Sequence, residues 1–484
     1  MNNLQIISVV LLATYYVVVI YFFFRLLLEN KNPLKTQSYL LLMVLLPFVG
    51  LLIYLLFGVN FRRKKMYSRK VFRDHKIIQQ WIKNYEDLLN QSAENVRDFL
   101  HEKAKLPYLF WRNNFSALSD NNKITVLNNG EEKFPVLIKK IRQARQHIHF
   151  EYYILEEDSI GGEIIDLLCE KADEGVKVRV IVDALGSNHL SNTTIKRFKK
   201  SGVEFREYNP VIFIPLANRV NYRDHRKIVI IDGDTSFVGG INIADRYVNN
   251  EESKQYWRDI HCMIEGEATY SLQILFLLNW YFVSKELLQP SLELFPEINY
   301  KGEVVTSIVS SDPDSDHPNL MEAYFSMITS AREEILISTP YFIPNESILT
   351  ALKTSAKGGV NVVLIMPEAT DSLFVHAASM TFLGELLRND IHVHLYQKGM
   401  IHSKIMVIDG EVCTIGTANM DYRSFDNNAE VNAIFFDKGL AAEVKMQFDA
   451  DLSDSVRLDY LTWKKRPLNV KLVGSMGRVI APLL

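Results

Sequence analysis

His225-Arg226-Lys227-Ile228-Val229-Ile230-Ile231-Asp232-Gly233, followed by Gly239-Gly240-Ile241-Asn242, is the stretch that decides the fold, because the chain contains it twice. The second copy, 177 positions later, reads His402-Ser403-Lys404-Ile405-Met406-Val407-Ile408-Asp409-Gly410, then Gly416-Thr417-Ala418-Asn419. The spacing H-x-K-x4-D-x6-G-[GT]-x-N holds at every step in both. The apolar, β-branched run after each Lys predicts a strand, and a strand places residues i and i+2 on one face. Imidazole and ammonium therefore project together. Asp-Gly supplies a tight turn, and the glycines that close the next strand let backbone approach a ligand. A pattern duplicated at this length implies two halves that share one active site.

Outward from the motifs, each half repeats a strand–helix–strand order. Ile148 to Ile154 predicts a strand, Gly162 to Asp173 a helix and Lys177 to Val182 a buried strand. The second half answers with Ile335 to Ser338, Tyr341 to Ile343, a helix near Ser347 to Ala356, and Asn361 to Ile365. Gly175-Val176 and Gly359-Val360 sit where a glycine ends a helix. Such units predict an α/β fold of two domains, 106–288 and 303–484, each built on a largely parallel sheet with helices on its faces. Leu272 to Val283 is too short to span a bilayer and predicts a core helix, with an interfacial helix as the alternative.

The N-terminus differs in kind. Leu4 to Phe24 and Tyr39 to Val59 carry no charge over 21 residues each, close to the ~20 that cross a hydrocarbon core. The first has neither a basic leader nor a small-residue cleavage site, so residues 1–60 predict a two-helix transmembrane hairpin. Residues 61–105 predict a basic juxtamembrane connector containing Arg62-Arg63-Lys64-Lys65. Basic residues favour the cytoplasmic side and sit well on anionic headgroups. The expectation is a protein of the cell membrane, crossing it twice, with its catalytic part cytoplasmic.

Residues 1–76 hold 11 Lys/Arg against 2 Asp/Glu, which leaves 43 against 55 for the rest. A net of −12 beyond the anchor speaks against a nucleic-acid partner, whose footprint is normally basic. Cys169, Cys262 and Cys413 match no metal or redox spacing and predict buried thiols. His147/His149 and His392/His394 lack a third ligand, so no metal is expected there and solvated strand faces are.

Ammonium, backbone N–H and carboxamide donors beside an imidazole are the equipment for holding a phosphodiester. The candidate catalytic residues are His225, Lys227, Asp232, His402, Lys404 and Asp409. Gly240, Asn242, Thr417 and Asn419 are the candidate phosphate contacts.

These paired motifs resemble the phospholipase D superfamily. The narrower resemblance is to its bacterial cardiolipin synthase branch. It rests on Tyr222-Arg223-Asp224-His225-Arg226-Lys227, Phe237 to Ile243, Thr339-Pro340-Tyr341-Phe342-Ile343-Pro344 and Ile415 to Phe425. Asp224 and Asn427-Asn428-Ala429 depart from the family pattern. The resemblance implies a displacement that needs no metal or cofactor, with His225 as nucleophile and His402 as acid and base. The partner is then phosphatidylglycerol in the membrane, donor and acceptor of a phosphatidyl group. It also implies a supporting acid some thirty positions after each motif histidine: Asp259, at 34 after His225, and Glu430, at 28 after His402. Asp232 and Asp409, though motif members, fit a turn-fixing role better than proton transfer. A phospholipase D that uses water as acceptor would need the same residues, and a nuclease or an inactive membrane scaffold are the remaining readings.

Overall fold

The computed structural model describes residues 3–28, 33–54, 103, 105–114, 118–210, 222–250, 255–289, 291–313, 315, 317–370 and 372–480. The expected basic connector lies outside these, except for Lys103 and Lys105. Among the described residues one helix, Asn3–Leu28, carries a stretch long and apolar enough to cross a membrane. The second apolar stretch forms two shorter helices, Pro33–Leu45 and Pro47–Ile53. They meet at Leu46, because Pro47 has no N–H to donate and starts a new helix instead. Leu26 of the first helix packs against Tyr39, Met43 and Tyr54.

The first half contributes β1 (Leu118–Ser119), β2 (Asn122–Asn128), β3 (His147–Tyr152), β4 (Lys177–Asp183), β5 (Glu204–Tyr208), β6 (Lys227–Ile231), β7 (Thr235–Gly239), β8 (Tyr256–Arg258) and β9 (Ile260–Gly266). The second contributes β10 (Val305–Ser311), β11 (Glu334–Ser338), β12 (Phe342–Ile343), β13 (Asn361–Pro367), β14 (His392–Tyr396), β15 (Gly399–Ile401), β16 (Ile405–Ile408), β17 (Val412–Gly416), β18 (Met420–Asp421), β19 (Glu430–Phe436) and β20 (Ser455–Arg457). One sheet runs β2-β9-β7-β6-β3-β4-β5, the other β1-β10-β19-β17-β16-β11-β13-β14-β20. Without β1 and β20 at its ends, the second order repeats the first strand for strand.

The sheets are mixed, which corrects the expectation of a largely parallel arrangement. Within these two sheets only β3-β4-β5 and β11-β13-β14 run parallel. The motif strands β6 and β16 run antiparallel to both neighbours. The cause lies in the motif: a three-residue loop led by Asp232-Gly233, or Asp409-Gly410, with positive φ at both residues, can only make a hairpin. A parallel connection needs a crossover of a dozen residues or more.

Alternation along the motif strands builds two cores at once. Ile228 and Ile230 face inward, against Ile405, Val407, Cys413 and Ile415 of the other half. Val229 and Ile231 face outward, under the helices Asn129–Gln143 and Ser159–Asp173. Each such side chain contributes roughly 1.5–3 kcal/mol when fully buried. The helix Ala268–Ser284 is core, with Phe276 and Trp280 fully buried. The three cysteines are free and buried. His147 and His149 are buried too, bonded to Gln273 rather than solvated as their pattern suggested.

The halves interlock. β1 joins the far sheet through β10, and Leu106 and Phe110 of helix Lys105–Asn114 pack in the second half's core. β8 pairs in parallel with β15, and Asp224 bridges to Ala429. These last two contacts bring the motifs together.

Candidate active site

His225 stands two residues ahead of β6 and His402 three ahead of β16, at the same end of the two sheets, and both line one cavity of about 660 Å³. Backbone bonds between the halves fix both: His225 N donates to Ala429 O at 2.9 Å and His402 N to Arg258 O at 2.6 Å. The residue after each of those acceptors is an acid. Glu430 therefore faces His225, with Nδ1 to Oε2 at 2.9 Å, and Asp259 faces His402, with Nδ1 to Oδ2 at 2.7 Å. Each histidine is held by the carboxylate of the opposite half. Counting positions after a histidine finds these acids but gives each to the wrong partner.

A carboxylate only accepts, so Nδ1 of each ring carries the proton and Nε2 keeps its lone pair. Burial pushes both imidazoles down. In His402 the Lys404 charge adds to burial, Asp259 opposes it, and the result is about 4. Burial pushes Glu430 up, but the charge and hydrogen bond of His225, with Lys227 and the Thr417 hydroxyl, hold it below the ordinary carboxylate range. Burial also takes Lys227 down to about 7, against the pull of Glu430. Each lysine donates to the carbonyl of its own histidine, Lys227 at 2.7 Å.

The remaining candidates separate into two groups. Asn242 and Asn419 line the cavity. Gly240 and Thr417 stand behind the histidines instead. A Cβ on Gly240 would lie 2.2 Å from Asp259 Oδ1, and Thr417 Oγ1 donates to Glu430 Oε2 at 2.5 Å. The [GT] position of the motif thus sets where each carboxylate rests.

Asp232 and Asp409 are not brought to the cavity, which corrects their place in the catalytic set. They sit at the far end of the motif strands, roughly 20 Å along. Asp232 accepts from the N–H groups of Arg145, Gln146 and His147, and Asp409 from those of Arg332, Glu333 and Glu334. Lys103 Nζ joins Asp409 at 2.7 Å.

Several cavity residues escape the motif reading. Arg223, Arg246 and Arg423 are among the lining residues, Tyr153 stands edge-on to His225, and Trp257 edge-on to His402. Adjacency to a motif histidine was the available signal for Arg223. The positions that depart from the family pattern meet here: Asp224 bridges to Ala429, and Asn428 Nδ2 donates to Glu430 Oε1 at 3.1 Å.

With this geometry in hand, similarity to known proteins is specific. The pattern described as "Cardiolipin synthase, PLD-like domain" matches residues 137–264 and again 324–452. A cardiolipin synthase of Geobacillus sp. (strain WCH70) is 39% identical over 459 residues, covering 94% of this chain and 90% of that one. The chain belongs to the cardiolipin synthase family. The major cardiolipin synthase ClsA of Bacillus subtilis (strain 168) is 36% identical over 460 residues, covering 94% and 95%. Within this family the N-terminal region also matches, over residues 17–58, a pattern described as "Phospholipase_D-nuclease N-terminal". The fold extends beyond the family. The phosphatidylserine synthase of Haemophilus influenzae Rd KW20 superposes with a TM-score of 0.62 at 16% identity, covering 78% of this chain and all of that one.

Proposed function

We propose that this protein is a membrane-anchored cardiolipin synthase that transfers the phosphatidyl group of one phosphatidylglycerol to a hydroxyl of a second and releases glycerol. The observation that carries the mechanism is the exchanged pairing, His225 with Glu430 and His402 with Asp259, around a single cavity. Two neutral imidazoles with Nε2 open to one space supply a nucleophile and a proton carrier.

In the first step Nε2 of His225 attacks phosphorus and the bond from phosphorus to the glycerol oxygen breaks. Nε2–H of His402, in its protonated form, gives the leaving oxygen its proton. An arriving phosphodiester anion favours that protonated form, because it adds a negative charge beside a ring that burial otherwise keeps neutral. In the second step the neutral His402 takes the proton of the acceptor hydroxyl. That oxygen attacks phosphorus, and the bond to His225 breaks. Glu430 balances the charge that grows on His225, and Asp259 does the same for His402. Lys227, Lys404, Asn242 and Asn419 hold the non-bridging oxygens. Asp232 and Asp409 anchor the strands from their far ends.

The anchor is proposed as a hairpin of two spans with the catalytic part on the cytoplasmic face. The apolar helix Asn3–Leu28 and the run of Lys/Arg between residues 62 and 76 support this reading. The test is purified protein in vesicles of phosphatidylglycerol. Cardiolipin and glycerol are expected in equal amounts, with His225→Ala and His402→Ala inactive. Phosphatidic acid as the main product would make water the acceptor and overturn the synthase reading.

A further inference from the structure

The C-terminal helix Leu468–Ile480 is packed inside out. Gly474 and Gly477 are its buried face, pressed on helix Leu373–Leu387. A Cβ on Gly474 would lie 2.6 Å from Ala377 O, and one on Gly477 3.0 Å from Ala378 Cβ. Its large apolar side chains point away from the protein. Leu468, Leu472 and Met476 are 71%, 57% and 67% exposed, and their spacing of four makes one continuous stripe. A surface helix ordinarily turns this face to the core.

Two features say what covers the stripe. Lys464, Lys465 and Lys471 collar it with positive charge. The supporting helix Leu373–Leu387 also leads to the active-site cavity: Ser372 and Val375 line its wall, and Leu373 beside them is 87% exposed. Trp463 locks the assembly by donating from Nε1 to Met380 O at 2.8 Å. We propose that this stripe, with Leu373, is a lipid-docking surface that seats on an anionic bilayer and holds the cavity mouth at the headgroup layer. An apolar stripe with a basic border is what an interfacial helix requires. A second copy of the chain fits less well, because a two-fold contact across this stripe would bring the lysine collars together. The inference rests on the reading of the protein as an enzyme acting on membrane phospholipid.

The test uses the full chain in vesicles of phosphatidylglycerol and phosphatidylcholine, with an environment-sensitive fluorophore on Met476→Cys. The three native thiols are buried and leave this one accessible. Brominated lipid should quench that probe at least about twofold more than a probe at Lys196→Cys on helix Asn192–Ser201, and more in anionic than in pure phosphatidylcholine vesicles. The pair Leu472→Glu and Met476→Glu should lose about tenfold of the vesicle activity and keep its activity in detergent micelles within about twofold. Equal quenching at the two positions overturns the proposal. So does shielding of Met476→Cys that needs a higher protein concentration instead of lipid, which would assign the stripe to a second copy. Because quenching needs no turnover, strong quenching without cardiolipin would keep the docking surface and sink the synthase reading. Cardiolipin without quenching would do the reverse.

Discussion

Replacing Glu430 by Gln should impair the chemistry of His225, not that of His402, the histidine of its own half. The charge lost is fully buried and bonded to Nδ1 at 2.9 Å. Opposite unit charges about 4 Å apart attract by about 4 kcal/mol at an effective dielectric near 20. At 1.36 kcal/mol per decade this corresponds to about a 10³-fold loss of rate. A carboxamide can also donate to Nδ1, which would move the ring proton to Nε2 and remove the attacking lone pair. Asp259→Asn should do the same to His402. The assay is rapid-quench trapping of phosphoenzyme from a phosphatidyl ester with a good leaving group, which needs no general acid in the first step. Glu430→Gln should form phosphoenzyme slowly, as His225→Ala forms none. Asp259→Asn should form it readily and discharge it slowly, because acceptor deprotonation still needs His402. The opposite pattern, with phosphoenzyme accumulating in Glu430→Gln, would refute either the exchanged pairing or the role of His225. Trapping in His225→Ala tells these apart, since it would place the phosphoryl group on His402.

Three further outcomes follow from the same geometry. In the ligand-free protein His402 should titrate near pH 4 by nitrogen NMR. A bound phosphate analogue should raise that value, since an added anion favours imidazolium, whereas Asp259→Asn should lower it further. Gly240→Ala should cost at least about 10²-fold in rate, because its Cβ meets Asp259 Oδ1 and displaces the acid from His402, while Thr417→Ser keeps the hydroxyl on Glu430 and most of the activity. Asp232→Ala should destabilise the fold by about 3 kcal/mol, as three N–H groups lose a charged acceptor, and lower the melting temperature. If it instead abolished turnover in protein with an unchanged melting temperature, its placement away from the chemistry would be wrong.

The sequence by itself determined the duplication, the strands that carry it and the residue types of the motifs, whereas the two acids were legible only through the family resemblance. The former are local properties. Alternation along Lys227–Ile231, the glycines after the helices and the spacing H-x-K-x4-D all act within a few residues, so one chain displays them. Strand direction was less legible. The strand–helix–strand units gave the parallel half of each sheet, but the Asp-Gly loop, which forces a hairpin, outweighs that pattern at the motif strands.

Only the tertiary structure decided which acid serves which histidine, because β8 pairs with β15 and Asp224 bridges to Ala429 across the halves. Contacts between halves have no period in sequence. The same holds for the C-terminal helix, whose mixture of glycine, leucine and basic residues fits packing or membrane contact equally well. Which face Gly474 and Gly477 present to Ala377 and Ala378 settles its orientation, and that is a property of two surfaces meeting.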